Sequence, residues 1–183
     1  MSCSINSLLQ KPFKRVPPQP SNLLHISALP SLKELQGWQR CGIRYLLNVS
    51  GVDIFDIYPA DVLEFFTITQ VTFADVFTLG NVLNPADAFE SISADAYLQA
   101  STEDQRRALL TAVHVLIAEL QKQTPICVFC HRGQGRSPLV VAAAFQQFYH
   151  EPINQAITRT RTLHAPAQFT DISLSALQWC ANK

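Results

Sequence analysis

Cys130 and Arg136 are the pair in this chain whose types and spacing could do chemistry. They lie in Ile126-Cys127-Val128-Phe129-Cys130-His131-Arg132-Gly133-Gln134-Gly135-Arg136-Ser137-Pro138. A cysteine thiolate is a strong nucleophile, and an arginine offers a planar fork for two phosphate oxygens. For the two to act on one group, the chain between them must turn tightly. Gly133 and Gly135 permit that turn. The apolar, β-branched run after Pro125 predicts a buried strand, and an apolar helix is expected from Pro138 to about His150. Backbone N–H groups in a strand–loop–helix turn can form an anion nest, and the helix N-terminus adds positive dipole. The chemistry these residues suggest is attack of a thiolate on a bound phosphorus.

Cys130-x5-Arg136-Ser137 resembles the signature loop of cysteine-dependent protein phosphatases, in particular the small dual-specificity branch. Cys130, Gly133, Arg136 and Ser137 fall at that family's positions. One departure stands out: the family carries His just before the Cys, and this chain has Phe129. Support for a thiolate then rests on the nest and the helix dipole. The resemblance implies a protein-tyrosine phosphatase-like α/β fold: a central mixed, mostly parallel sheet flanked by helices, with Cys130 at the C-terminal end of a strand. Alternation of predicted strands and helices along the chain points to the same class.

A second reading of the same stretch is redox or metal chemistry, because Cys127 and Cys130 form a CxxC. No second CxxC or His pair accompanies it, so a zinc site lacks ligands. A redox CxxC normally opens a helix, whereas Cys127 falls inside the apolar strand and reads as a core residue.

Composition sets the frame. The 183 residues suit one domain with a full core, and 48% are apolar against 15% charged. Formal net charge is zero, which argues against DNA or general nucleic-acid binding. Five cysteines scattered at 3, 41, 127, 130 and 180 make no disulfide framework. A reducing, cytoplasmic compartment is therefore expected. No apolar run is long enough to span a membrane, and no secretory signal opens the chain. Delivery by a system that leaves no such signal is compatible with this sequence.

The elements that must position the loop follow in order. Residues 1–21 are polar and Pro-rich, with Lys11, Lys14 and Arg15, and read as a flexible arm ahead of a single catalytic domain over 22–183. Leu23–Ile26 is a strand candidate. Ser31 and Glu34 form a capping box for a helix carrying Leu32, Leu35 and Trp38, closed by Gly42. Arg44–Val49 reads as a buried strand, Gly51–Asp61 as a turn region, and Leu63–Phe73 as a further core strand. Val76–Ala100 reads as an insertion, either a lid or substrate-selecting element or a solvated excursion. Thr102 and Gln105 cap a helix through Leu120. Pro152 starts another helix, and Thr170 caps a last one ending near Trp179.

By resemblance, Cys130 would attack phosphorus, Arg136 and the amides of His131, Arg132, Gly133, Gln134 and Gly135 would hold the oxygens, and Ser137 would assist Cys130 as leaving group. The family's general-acid Asp lies in a loop just after a core strand, which selects Asp75. It lies 55 residues before Cys130, a spacing that requires the insertion. Asp95, 35 before Cys130, is the alternative, and Asp87 is a weaker third. The expected activity is a metal-free and cofactor-free phosphomonoester hydrolase, acting as a monomer on phosphoprotein. The alternatives are a phosphoinositide, phospholipid or other polyphosphate substrate, or a phosphatase-like module that binds phosphate without turnover.

Overall fold

A computed structural model describes residues 23–78, 81–82 and 93–183. The arm at 1–21, Asp87 and much of the 76–100 segment fall outside the described residues.

The chain runs β1 (Leu24–Ser27), α1 (Leu32–Arg40), β2 (Tyr45–Asn48), α2 (Ala60–Leu63), β3 (Thr67–Gln70), α3 (Asp95–Ala100), α4 (Glu103–Gln121), β4 (Ile126–Phe129), α5 (Arg136–Tyr149), α6 (Ile153–Leu163) and α7 (Asp171–Ala181). Short 3₁₀ turns lie at Ile54–Asp56 and Val76–Thr78. The strand order is β1-β4-β2-β3, and every pairing is parallel. The α/β class is as expected. An antiparallel contact exists only as an isolated bridge between Val82 and Thr170, so among the described residues the sheet itself is parallel rather than mixed.

Parallel strands need crossovers, and the crossovers cover both faces of the sheet. β4 enters between β1 and β2, so its four residues are buried on both sides. On one face α4, α5 and α7 enclose Ile126, Val128 and Cys130. On the other, Leu35, Ile43, Ile54, Val62 and Leu63 enclose Cys127 and Phe129. α5 is buried from Arg136 to Phe145, which explains its nearly all-apolar sequence.

Local signals set several boundaries. Both capping boxes form, Ser31 with Glu34 and Thr102 with Gln105. α5 begins at Arg136, two residues before the expected Pro138. Proline is tolerated in the first turn, where its missing N–H has no intrahelical acceptor. The expected strand Leu63–Phe73 is shorter: only Thr67–Gln70 is strand. Pro59 precedes α2, and Val62, Leu63 and Phe66 turn into the second core instead of pairing. The end of the 76–100 segment is also ordered differently from a simple excursion. α3 packs on α7, where the Tyr97 N–H donates to Ser175 Oγ at 2.9 Å. No helix among the described residues is long and apolar enough to cross a membrane.

Candidate active site

All four strands point their C-terminal ends to one edge, where loops collect and ligands of open α/β sheets bind. β4 delivers Cys130 there, 1% exposed. Its Sγ accepts two hydrogen bonds, from the Gly133 N–H at 3.2 Å and from Ser137 Oγ at 3.2 Å. Ser137 Oγ also lies 3.4 Å from the Ser27 carbonyl. A hydroxyl has one proton, and an ionised sulfur is the stronger acceptor for it.

The loop is built from outside inward. The His131 carbonyl accepts from the Leu29 N–H at 3.4 Å, and the Gln134 carbonyl from the Gln168 N–H at 2.9 Å. The Gly133 carbonyl accepts from His164 Nε2 at 2.8 Å. All peptides described are trans, so each carbonyl opposes the next residue's N–H. The N–H groups of Arg132, Gln134 and Gly135 therefore turn to the interior of the loop, beside that of Gly133. Four donors grouped at the head of α5 are an arrangement that can hold an anion. Gly133 takes φ +69, and a Cβ there would meet Ala28 N at 2.7 Å and the Ser27 carbonyl carbon at 2.9 Å. Only glycine fits. The His131 and Arg132 side chains are exposed, so these residues face the nest with backbone while their side chains stand in solvent.

Arg136 closes the nest, its side chain 9% exposed. Nη1 donates to the Ser50 carbonyl at 2.6 Å and, at 3.4 Å, to that of Phe73. Nε finds no hydrogen-bond acceptor among the described residues, although Asp75 Oδ2 stands 3.5 Å away. The guanidinium is thus locked at one corner by two carbonyls, with its Nε turned to the Asp75 carboxylate. Ser50 is fixed in turn by Asn48 at the end of β2. Asn48 Oδ1 accepts from the Ser50 N–H at 2.9 Å and Oγ at 2.6 Å, and Nδ2 donates to the Val52 carbonyl and Gln70 Oε1, both at 2.7 Å.

Asp75 lies between Phe73 and Phe77, just past β3. Those rings meet edge-on at 6.1 Å, Phe77 packs on Tyr97 at 5.7 Å, and Tyr97 on Trp179 at 5.6 Å. Thr170 Oγ1 donates to the Phe77 carbonyl at 3.0 Å. This ladder anchors the segment carrying Asp75 to α7. Asp95 instead opens α3, exposed, its N–H donating to Ser93 Oγ. The fold therefore brings Cys130, Gly133, Arg136, Ser137 and Asp75 together and puts Asp95 on the surface of α3.

Cys127 and Cys130 face opposite sides of the sheet, which removes the geometry a CxxC disulfide needs. Burial pushes the Cys127 thiol far up, as for an inert core cysteine. Phe129 packs 6.4 Å from Trp38 on that same far face. Sequence reasoning missed Asn48, Ser50, Gln70 and His164. A polar residue closing an apolar strand, as in YLLN, was the available signal for Asn48. His164 carried none.

No family model and no curated protein matches the chain. Solved structures do. Human DUSP28 aligns over 90% of this chain and 93% of that one, at 16% identity and TM-score 0.61. PTPMT1 in complex with PI(5)P aligns over 88% and 91%, at 12% identity and TM-score 0.63. A human tyrosine phosphatase-like serine/threonine/tyrosine-interacting protein aligns over 86% and 89%, at 15% identity and TM-score 0.59. The fold is that of the cysteine-dependent protein phosphatases of the dual-specificity and protein-tyrosine type. Likeness at these identities concerns the fold; what the chain does has to be argued from its own residues.

Proposed function

We propose that this chain is a phosphomonoester hydrolase working through a cysteinyl-phosphate. The carrying observation is the Cys130 sulfur, buried at the mouth of an anion nest and accepting from both Gly133 N–H and Ser137 Oγ. Such donors stabilise a thiolate. In the first step a new S–P bond forms as the P–O bond to the leaving group breaks. Asp75 gives its proton to the departing oxygen. The nest and Arg136 hold the three non-bridging oxygens, where charge is spread in the transition state. In the second step water attacks phosphorus, the S–P bond breaks, and Asp75 takes the water proton. Ser137 and the Gly133 N–H receive the returning thiolate. Free Cys130 is required throughout, so the reading calls for a reducing compartment.

The substrate we favour is phosphorylated protein, with a phosphoinositide or phospholipid as second choice. Exposed Arg132 and His131 beside the nest are what favour a polyphosphorylated headgroup. A phosphopeptide panel run beside phosphoinositide vesicles separates the two by relative kcat/KM. The non-catalytic alternative is separated by phosphate release from an aryl phosphate. Release that persists in Cys130→Ser sinks the covalent mechanism, and tight phosphate binding with no release supports a binding module.

A further inference from the structure

Three carbonyls of the loop are held outward, but not by equal means. Those of His131 and Gln134 are tied by backbone N–H groups, of Leu29 and Gln168. The Gly133 carbonyl is tied by a side chain, His164 Nε2 at 2.8 Å. A carbonyl only accepts, so Nε2 carries the proton.

Gly133 is also where the loop is most able to fail. It sits at φ +69 without a Cβ, so the Gly133–Gln134 peptide has the least steric resistance to rotation. A rotated peptide would turn the Gly133 oxygen into the nest and the Gln134 N–H out of it. A donor would be replaced by an acceptor facing an anion. His164 is well placed to prevent this. Its own N–H donates to the Thr160 carbonyl at the end of α6, at 2.9 Å. Its carbonyl accepts from the Ala167 N–H at 3.0 Å, one residue before Gln168 ties down Gln134. The 164–168 segment thus clamps two successive peptides of the nest.

We infer that His164 is a positioning residue for oxyanion binding, its Nε2–H holding the Gly133–Gln134 peptide with the Gln134 N–H turned toward a phosphoryl oxygen. This rests on reading the loop as a phosphoryl site. It does not require turnover. The ring acts through the peptide and never touches the substrate.

The test compares two side chains of similar length that differ in the donor, His164→Gln and His164→Met, in the full chain. Tungstate serves as the oxyanion, its Kd measured calorimetrically and normalised to the folded fraction from near-ultraviolet circular dichroism. His164→Met should bind tungstate about tenfold more weakly, the scale of one well-placed donor, while His164→Gln stays within about threefold of wild type. On an aryl phosphate the same split should appear in kcat/KM. Equal tungstate affinity for the two variants overturns the inference, as does failure of wild type to bind tungstate. A second readout needs no substitution. In wild type, the His164 Nε2 proton should exchange with water more slowly when tungstate is bound, as the nest tightens. Unchanged exchange counts against the inference. Discrimination between the variants without hydrolysis by wild type would leave the inference standing and remove the proposed activity instead.

Discussion

The two faces of β4 differ more than their sequence does. Cys127 and Cys130 stand three residues apart, and both are buried, at 0% and 1% exposure. Cys127 and Phe129 point into hydrocarbon, among Leu35, Ile43 and Leu46. Cys130 projects to the other face, at the point where the ladder ends with Phe129. The Cys130 N–H still donates to the Ser27 carbonyl at 3.4 Å, and beyond it the N–H groups are no longer used by neighbouring strands. They are available to converge on a sulfur or an anion. Burial therefore does not distinguish the two cysteines. The donors that come with the end of the strand do.

The largest expected effect tests that contrast head-on. Cys130→Ser should lower turnover of an aryl phosphate by at least about 10³-fold, with little change in the urea midpoint. Cys127→Ser should do the reverse. It should lose about 1–3 kcal/mol of stability by burying a hydroxyl among apolar side chains, while the folded fraction keeps its turnover. If Cys127→Ser inactivates without destabilising, the two faces are not independent.

Next in size is the general acid. Asp75→Asn should slow an alkyl phosphate by about 10²-fold and a good aryl leaving group far less, because only the poor leaving group needs the proton. Asp95→Asn, on exposed α3, should leave both rates alone. A reversed outcome moves the acid to Asp95.

The far face gives a smaller effect. Phe129→His would put an imidazole against Trp38 in an apolar cluster and remove packed ring surface. It should cost about 2–4 kcal/mol, read as a lowered denaturant midpoint, with turnover of the folded fraction within about threefold. A large change in turnover would mean that the far face reaches Cys130 through the backbone.

The smallest effect concerns pH. Desolvation holds His164 below its ordinary 6.5, with its bond to Gly133 pulling weakly the other way. The unfolded chain then binds the proton more readily than the fold. Stability from the neutral ring is full above pH 6.5 and is lost as pH falls through the lowered value. Burial lowers His25 on β1 as well, so its share adds to the same slope. The urea midpoint should drop on acidification from pH 7, and His164→Gln should remove part of the drop. An identical slope in the variant assigns the whole of it elsewhere.

Much of the frame was legible because its causes are local. The Ser31–Glu34 and Thr102–Gln105 boxes each join residues three apart, and the strand–loop–helix of Ile126 to Tyr149 is written in a β-branched run, two glycines and an apolar helix. Alternation of elements was enough for the α/β class. Leu63–Phe73 was misread as one strand because its composition suits a strand while tertiary burial claims Leu63 and Phe66 for another cluster.

Tertiary structure alone decided how the loop is held and what it faces. The partners of its carbonyls come from Leu29, His164 and Gln168, and those of Arg136 from Ser50, Phe73 and Asp75, between 31 and 102 residues away along the chain for the groups that meet Gly133, His131, Gln134 and Arg136. No local pattern encodes such a meeting. The placement of Asp75 and Asp95 is of the same kind: spacing along the chain favoured the second and position after a core strand the first, and the pairing of β3 with β2 and of β2 with β4 carries Asp75 to within 3.5 Å of Arg136 while Asp95 stands exposed on α3. Sequence determined which residues could do chemistry, because the functional groups available belong to side-chain type. The packing of parallel strands determined which of them meet, because a sheet edge gathers chain ends that are distant in sequence.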